Sequence, residues 1–113
     1  MRLLLQQAYG VIVPVDLAFY SAMGVATLLE TIPPGRLIGI VPNRMDLRTR
    51  RAVEVLDTMK RYFPGNIARP IRQCVDFDRA AQAGQTIWEW APASHGAEDC
   101  TDLIEWMVMA VAQ

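Results

Sequence analysis

Asn43 stands where a short apolar run meets a helix start, within Leu37–Arg51, LIGIVPNRMDLRTRR. Its amide carries a donor and an acceptor, so it can pair with a polar edge that presents both. Asn is also common in turns, and a plain turn before Asp46 is the competing reading. A second group is basic: Arg48, Arg50, Arg51, Lys60, Arg61, Arg69 and Arg72. Cations gathered on one face can hold phosphates without reading bases. The competing reading is a solvated helix face. Arg50–Glu54 and Asp57–Arg61 have the spacing of i,i+4 ion pairs, worth about 0.2–0.5 kcal/mol each. His95 lacks a second His or a Cys-His-Asp set beside it and reads as a surface residue. Cys74 and Cys100 form neither a CxxC pair nor a metal-ligand cluster and read as buried thiols. Asp46 and Thr49 read as helix caps. Trp88, Trp90 and Trp106 read as core or interface. No catalytic or metal-ligating set is assigned.

These groups need elements to position them. Leu37–Val41 is apolar, β-branched and not alternating, which predicts a strand buried on both faces of a parallel sheet. Asn43 then lies at the carboxyl end of a strand, where open α/β sheets place ligands. Val11–Val15 predicts a second buried strand, with Pro14 at its end because it cannot donate to a ladder. Ile67–Ile71 predicts a shorter third strand despite Pro70, and Thr86–Trp90 an edge strand. Arg2–Tyr9 predicts a short helix. A helix from Asp16 to Thr31 carries Phe19, Met23, Ala26, Leu29 and Ile32 as its core stripe. The next, Leu47 to Phe63, is capped by Asp46 and buries Ala52, Val53, Leu56, Met59 and Phe63. A short helix from Cys74 or Asp76 runs through Ala83, with Gly84 as its C-terminal cap. Ser94 caps the last helix, which buries Leu103, Ile104, Met107, Val108 and Val111 and leaves Asp99, Asp102 and Glu105 wet. Strands alternating with helices predict an α/β fold, a parallel sheet with helices on both faces.

The 113 residues are expected to form a single domain, 1–113, and 52% apolar content supplies a core. No apolar run approaches the roughly 20 residues that cross a bilayer. A cytoplasmic protein with no membrane partner is expected. The net charge of −1 hides an asymmetry. Arg36–Arg79 holds ten Arg or Lys against five Asp or Glu, whereas the rest holds one Arg and seven acids. A basic middle between acidic ends suits an anionic partner.

Four stretches resemble the carboxyl half of a ParA/Soj/MinD-type partition ATPase. They are Gly10–Val15; Gly39–Asn43 with Asp46-Leu-Arg-Thr49; Ile71-Arg72-Gln73 with Ala80 and Gly84; and Pro92–Ala97. The resemblance covers nearly the whole chain in order. It implies a partial P-loop NTPase of Rossmann-like three-layer form. It also implies ATP-dependent segregation or positioning of plasmid, chromosome or other cargo, with ATP and Mg2+ as the full-length family's cofactors. Asn43 and Arg72 would border the adenine. Arg48, Arg50, Arg51, Lys60, Arg61 and Arg69 would meet non-specific DNA. A homodimer and a ParB-like or cargo adaptor are the implied partners.

The departures are specific. The sequence has no GxxxxGK[ST], and its one lysine, Lys60, sits in a helix. Such a loop works through consecutive N–H groups and a Lys around the phosphates. The chain alone is therefore expected neither to hydrolyse ATP nor to hold it tightly. A truncated, split or decayed form, or a stand-alone half, would account for this. Arg72 and Gln73 also replace the family's Pro and Arg after Ile71. The alternative is a non-catalytic, self-associating module, or a half that pairs with a separate ATPase half.

Overall fold

The computed structural model describes residues 9–112. The helix expected over Arg2–Tyr9 lies outside them but for Tyr9. Two strands form a parallel sheet: β1, Val11–Asp16, and β2, Leu37–Asn43. Five α-helices follow the chain order: α1 Ala22–Leu29, α2 Arg50–Tyr62, α3 Val75–Ala83, α4 Ile87–Trp90 and α5 His95–Ala112. Val13 faces Ile40 across the ladder, and Asp16 faces Asn43.

The expected strand at Ile67–Ile71 is a ragged third lane beside β2. Ile67 bridges Ile40, and Arg72 bridges Met45. Ala68 N–H donates to the Ile40 carbonyl at 2.9 Å and Ile71 N–H to Pro42 at 2.8 Å. Pro70 has no N–H to continue the ladder between them. Thr86–Trp90 is not a strand. Thr86 and Glu89 form a reciprocal capping box, and those two bonds start α4.

Pro14 lies inside β1, opposite Val41, and not at its end. Val11 N–H donates to the Arg36 carbonyl at 2.7 Å, on the β2 side. Alternation along the strand turns the nitrogen of residue 14 to the outer edge. No described strand pairs with that edge, so the missing N–H breaks no ladder bond there.

Helices cover both faces. On one, Val13, Val15 and Ile40 pack against Val25, Ile32, Ala52, Val55 and Met59. On the other, Val41, Ala68 and Ile71 meet Ile12, Phe77, Leu103 and Trp106. The helix expected after β1 is in two pieces, a 3-10 turn at Leu17–Phe19 and α1. Asp16 caps the first through Ala18 N–H, and Ser21 caps the second through Gly24 N–H. The break resets the helical phase, so Val25 is buried while Met23 is 80% exposed and Ala26 is exposed. In α2 the buried set is Ala52, Val55, Leu56 and Met59, an i,i+3,i+4,i+7 stripe that turns Val53 outward. In α5, Leu103, Trp106 and Met107 turn inward, whereas Ile104, Val108 and Val111 are exposed. Trp106 lies over Gly39. A Cβ there would overlap the indole and come within 2.8 Å of the Asn66 carbonyl oxygen. Gly84, at φ 67°, ends α3 as expected.

Candidate functional site

The carboxyl ends of β1 and β2 lie side by side and present Asp16, Asn43 and Arg44. After them the chain turns at Asp46. Its carboxylate accepts from Arg48 N–H at 3.2 Å, from Arg48 Nε at 2.9 Å and from Nη2 at 3.0 Å. Those bonds hold the Asp46 carboxyl below the usual carboxylate range. Thr49 is the true cap of α2, accepting from Ala52 N–H at 3.2 Å. Its hydroxyl also donates to the Asp46 carbonyl at 2.8 Å. Asp46 therefore caps the turn and Thr49 the helix, so α2 starts at Arg50 and not at Leu47.

A second loop, 71–74, is fastened to the start of α5. Asp99 accepts from Arg72 N–H at 2.9 Å, from Nε at 3.0 Å and from Nη2 at 2.8 Å. Its side chain is 8% exposed, against the expectation that it stays wet. Burial works against its ionisation. The hydrogen bonds from Arg72 outweigh that and hold its carboxyl below the usual range. Arg72 is raised in turn, chiefly by the same bonds. His95 Nε2 lies 3.0 Å from the Gln73 carbonyl oxygen, so this exposed histidine also tethers the loop. Ser94 caps α5 as expected, accepting from Ala97 N–H at 3.1 Å.

Between the strand ends and this loop lies a cleft of about 700 Å³. Ile12, Val41, Ile71, Phe77 and Leu103 give it an apolar floor, and Asn43, Arg44, Arg72, Gln73 and Asp78 a polar margin. Asn43 and Arg72, far apart in sequence, thus border one space. A largely apolar cleft with a few polar groups at its margin has the make-up of a small-molecule site. Cys100 also lines it, but burial, with Asp99 and Cys74 adding, pushes its thiol up and away from the reactive thiolate.

The basic residues divide. Arg48 pairs with Asp46 at 2.9 Å and Arg69 with Asp102 at 3.4 Å. Arg50, Arg51, Lys60 and Arg61 are exposed on α2. Among the described residues none of these four makes an ion pair, and the expected Arg50–Glu54 and Asp57–Arg61 pairs do not form. The sequence contains no GxxxxGK[ST], and among the described residues no group of three His, Cys, Asp or Glu could hold a metal.

Sequence reasoning missed Arg44, Gln73, Phe77 and Asp99 as parts of the site. Asp99 was detectable: it falls three residues after Gly96, on the inward stripe that continues to Leu103 and Trp106. Phe77 and Gln73 carried no local signal.

No family model matches the chain. Curated proteins do. The chromosome-partitioning ATPase Soj of Thermus thermophilus is 36% identical over 118 aligned positions, covering 96% of this chain and 47% of that protein. The sporulation initiation inhibitor protein Soj of Bacillus subtilis is 29% identical over 106 positions, covering 83% and 41%. An uncharacterized protein of Mycobacterium tuberculosis is 34% identical over 98 positions, covering 78% and 30%. The chain spans less than half the length of these relatives. No helix among the described residues is long and apolar enough to cross a membrane.

Proposed function

We propose that this chain, a relative of the ParA/Soj-type proteins, is the carboxyl half of a partition ATPase and supplies its adenine-side cleft and DNA-facing helix. One observation carries the reading. Asn43 and the Arg72–Gln73 loop border a single apolar cleft at the carboxyl ends of parallel strands. In the complete P-loop ATPase, bound ATP and Mg2+ supply the phosphoanhydride chemistry; the present residues supply the base site. The Asn43 amide pairs with the ring edge, and Phe77, Ile12 and Val41 exclude water from its faces. Arg72 is a positioning residue, because Asp99 already holds its Nε and Nη2.

Arg50, Arg51, Lys60 and Arg61, exposed and without ion pairs among the described residues, form the surface for non-specific DNA. Arg48 and Arg69 lie beside it, partly neutralised by Asp46 and Asp102. The outer edge of β1, around Ile12 and Pro14, with which no described strand pairs, is where the amino half or a second copy docks. A homodimer through that edge and an adaptor of the ParB kind complete the partition role in the cytoplasm.

The test is an NMR titration of the chain with adenosine. Binding on the order of millimolar is expected, with shifts at Asn43, Gln73 and Phe77 and a further loss in Asn43→Ala. Saturating adenosine that leaves these resonances unmoved sinks the base site.

A further inference from the structure

We propose that Arg44 is an anion-binding residue of the cleft, where it takes a phosphate of the ligand in place of Asp16. The inference deepens the nucleotide reading above and rests on it for the ring, but not for the anion. Arg44 is the one non-glycine residue with positive φ among those described, at 56°. Glycine or asparagine adopts this conformation more readily than a long side chain does. The backbone is pinned on both sides. Asn43 pairs with Asp16 in the ladder, and Met45 N–H donates to the Ile71 carbonyl at 3.1 Å. Strained positions of this kind cluster at ligand sites. The residue held in this conformation lines the margin of the cleft.

Two guanidiniums border that cleft, and they are held differently. Arg72 is fastened by Asp99 through Nε at 3.0 Å and Nη2 at 2.8 Å. Among the described residues, the ion-pair partner of Arg44 is Asp16 Oδ2, at 3.6 Å, and its side chain is 68% exposed. A loose, exposed pair is cheap to exchange. Asp16 is itself anchored, since its Oδ1 accepts from Ala18 N–H at 3.0 Å. The Asp16 carboxylate therefore stands in for the ligand anion and stays in place when a phosphate takes over Arg44. A phosphate can accept two parallel guanidinium bonds, which the single 3.6 Å contact does not supply.

The test uses the full chain in magnesium-free buffer, with ADP, adenosine and pyrophosphate titrated separately by NMR. Arg44→Gln should weaken ADP and pyrophosphate about tenfold and leave adenosine unchanged. Asp16→Asn keeps the cap on Ala18 but removes the competing charge, so it should tighten both phosphate ligands. Arg44→Gly should raise the thermal midpoint while weakening ADP, a combination that a purely structural turn residue does not give. Pyrophosphate binding with these responses, but no adenosine binding, would uphold Arg44 and overturn the base site. Adenosine binding with an ADP affinity indifferent to Arg44→Gln and Asp16→Asn would overturn Arg44 alone. A wild-type chain that binds neither ADP nor pyrophosphate also overturns it.

Discussion

Asp99→Asn isolates the ion pair that fastens the 71–74 loop to α5. The substituted amide keeps an oxygen for Arg72 N–H but loses the charge facing Nε and Nη2. Removing one partner of a fully buried pair costs about 3–5 kcal/mol, and an exposed pair contributes about 0–1 kcal/mol. Asp99 is 8% exposed and Arg72 39%, so this pair lies between those limits. A loss of about 2 kcal/mol at pH 7 is expected. Urea unfolding followed by circular dichroism should show it as a midpoint lowered by about 1 M. The pH dependence carries the sign. The folded carboxyl titrates below its usual value, so its contribution is complete above the unfolded pKa, about 3.9. It is lost as pH falls through the lowered folded value. Wild type and Asp99→Asn should therefore converge in acid. Equal midpoints at pH 7, or a gap that persists at pH 2, would refute the ion pair as the fastening.

Two further outcomes concern the surfaces. If the four free cations of α2 meet phosphates, affinity for any DNA should fall about a hundredfold between 50 and 200 mM salt. Arg51→Glu with Lys60→Glu should weaken all sequences alike and flatten that slope by about two, as filter binding across a salt series would show; a salt-insensitive or site-specific complex contradicts it. Sedimentation velocity should show a dimer that Ile12→Lys dissociates without loss of circular dichroism, and a wild-type monomer at tens of micromolar (roughly the range in which open edges associate) rules out the β1 edge.

Much of the fold was legible because its signals are local. Continuous β-branched runs announced both strands, and Ser94 and Gly84 announced helix ends. The failures were tertiary or reciprocal. Trp88 and Trp90 favoured a strand, but the Thr86–Glu89 capping box won. Val53 and Val55 are equally apolar, and only the stripe shared with Ala52, Leu56 and Met59 decides between them. Asn43 was placed by the strand that ends at it. The cleft was not legible, because Phe77 and Leu103 reach it from separate helices. Nor was the commitment of Arg72, whose partner lies 27 residues away.

Residue 14 contributes no donor to the outer edge of β1, which leaves the N–H groups of Ile12 and Asp16 there. A strand added at that edge forms fewer ladder bonds than one added to an uninterrupted strand. Hydrogen bonding alone therefore favours such pairing weakly, and the partner must also bring apolar surface. The structure offers a seat for it. The half-buried Ile12, the exposed Pro14 and the floor of the cleft form one continuous apolar strip. An element that pairs with the edge and lays an apolar face on this strip gains both contributions, and a bare edge-to-edge strand gains one. Ile12 and Pro14 line the same cleft as Asn43 and Arg44, so an element docked at the strip would border that cleft. If a partner docks there and a base binds against Phe77, Ile12 and Pro14 serve both events; a base should then favour the docked state, and the docked state should hold the base more tightly by the same factor.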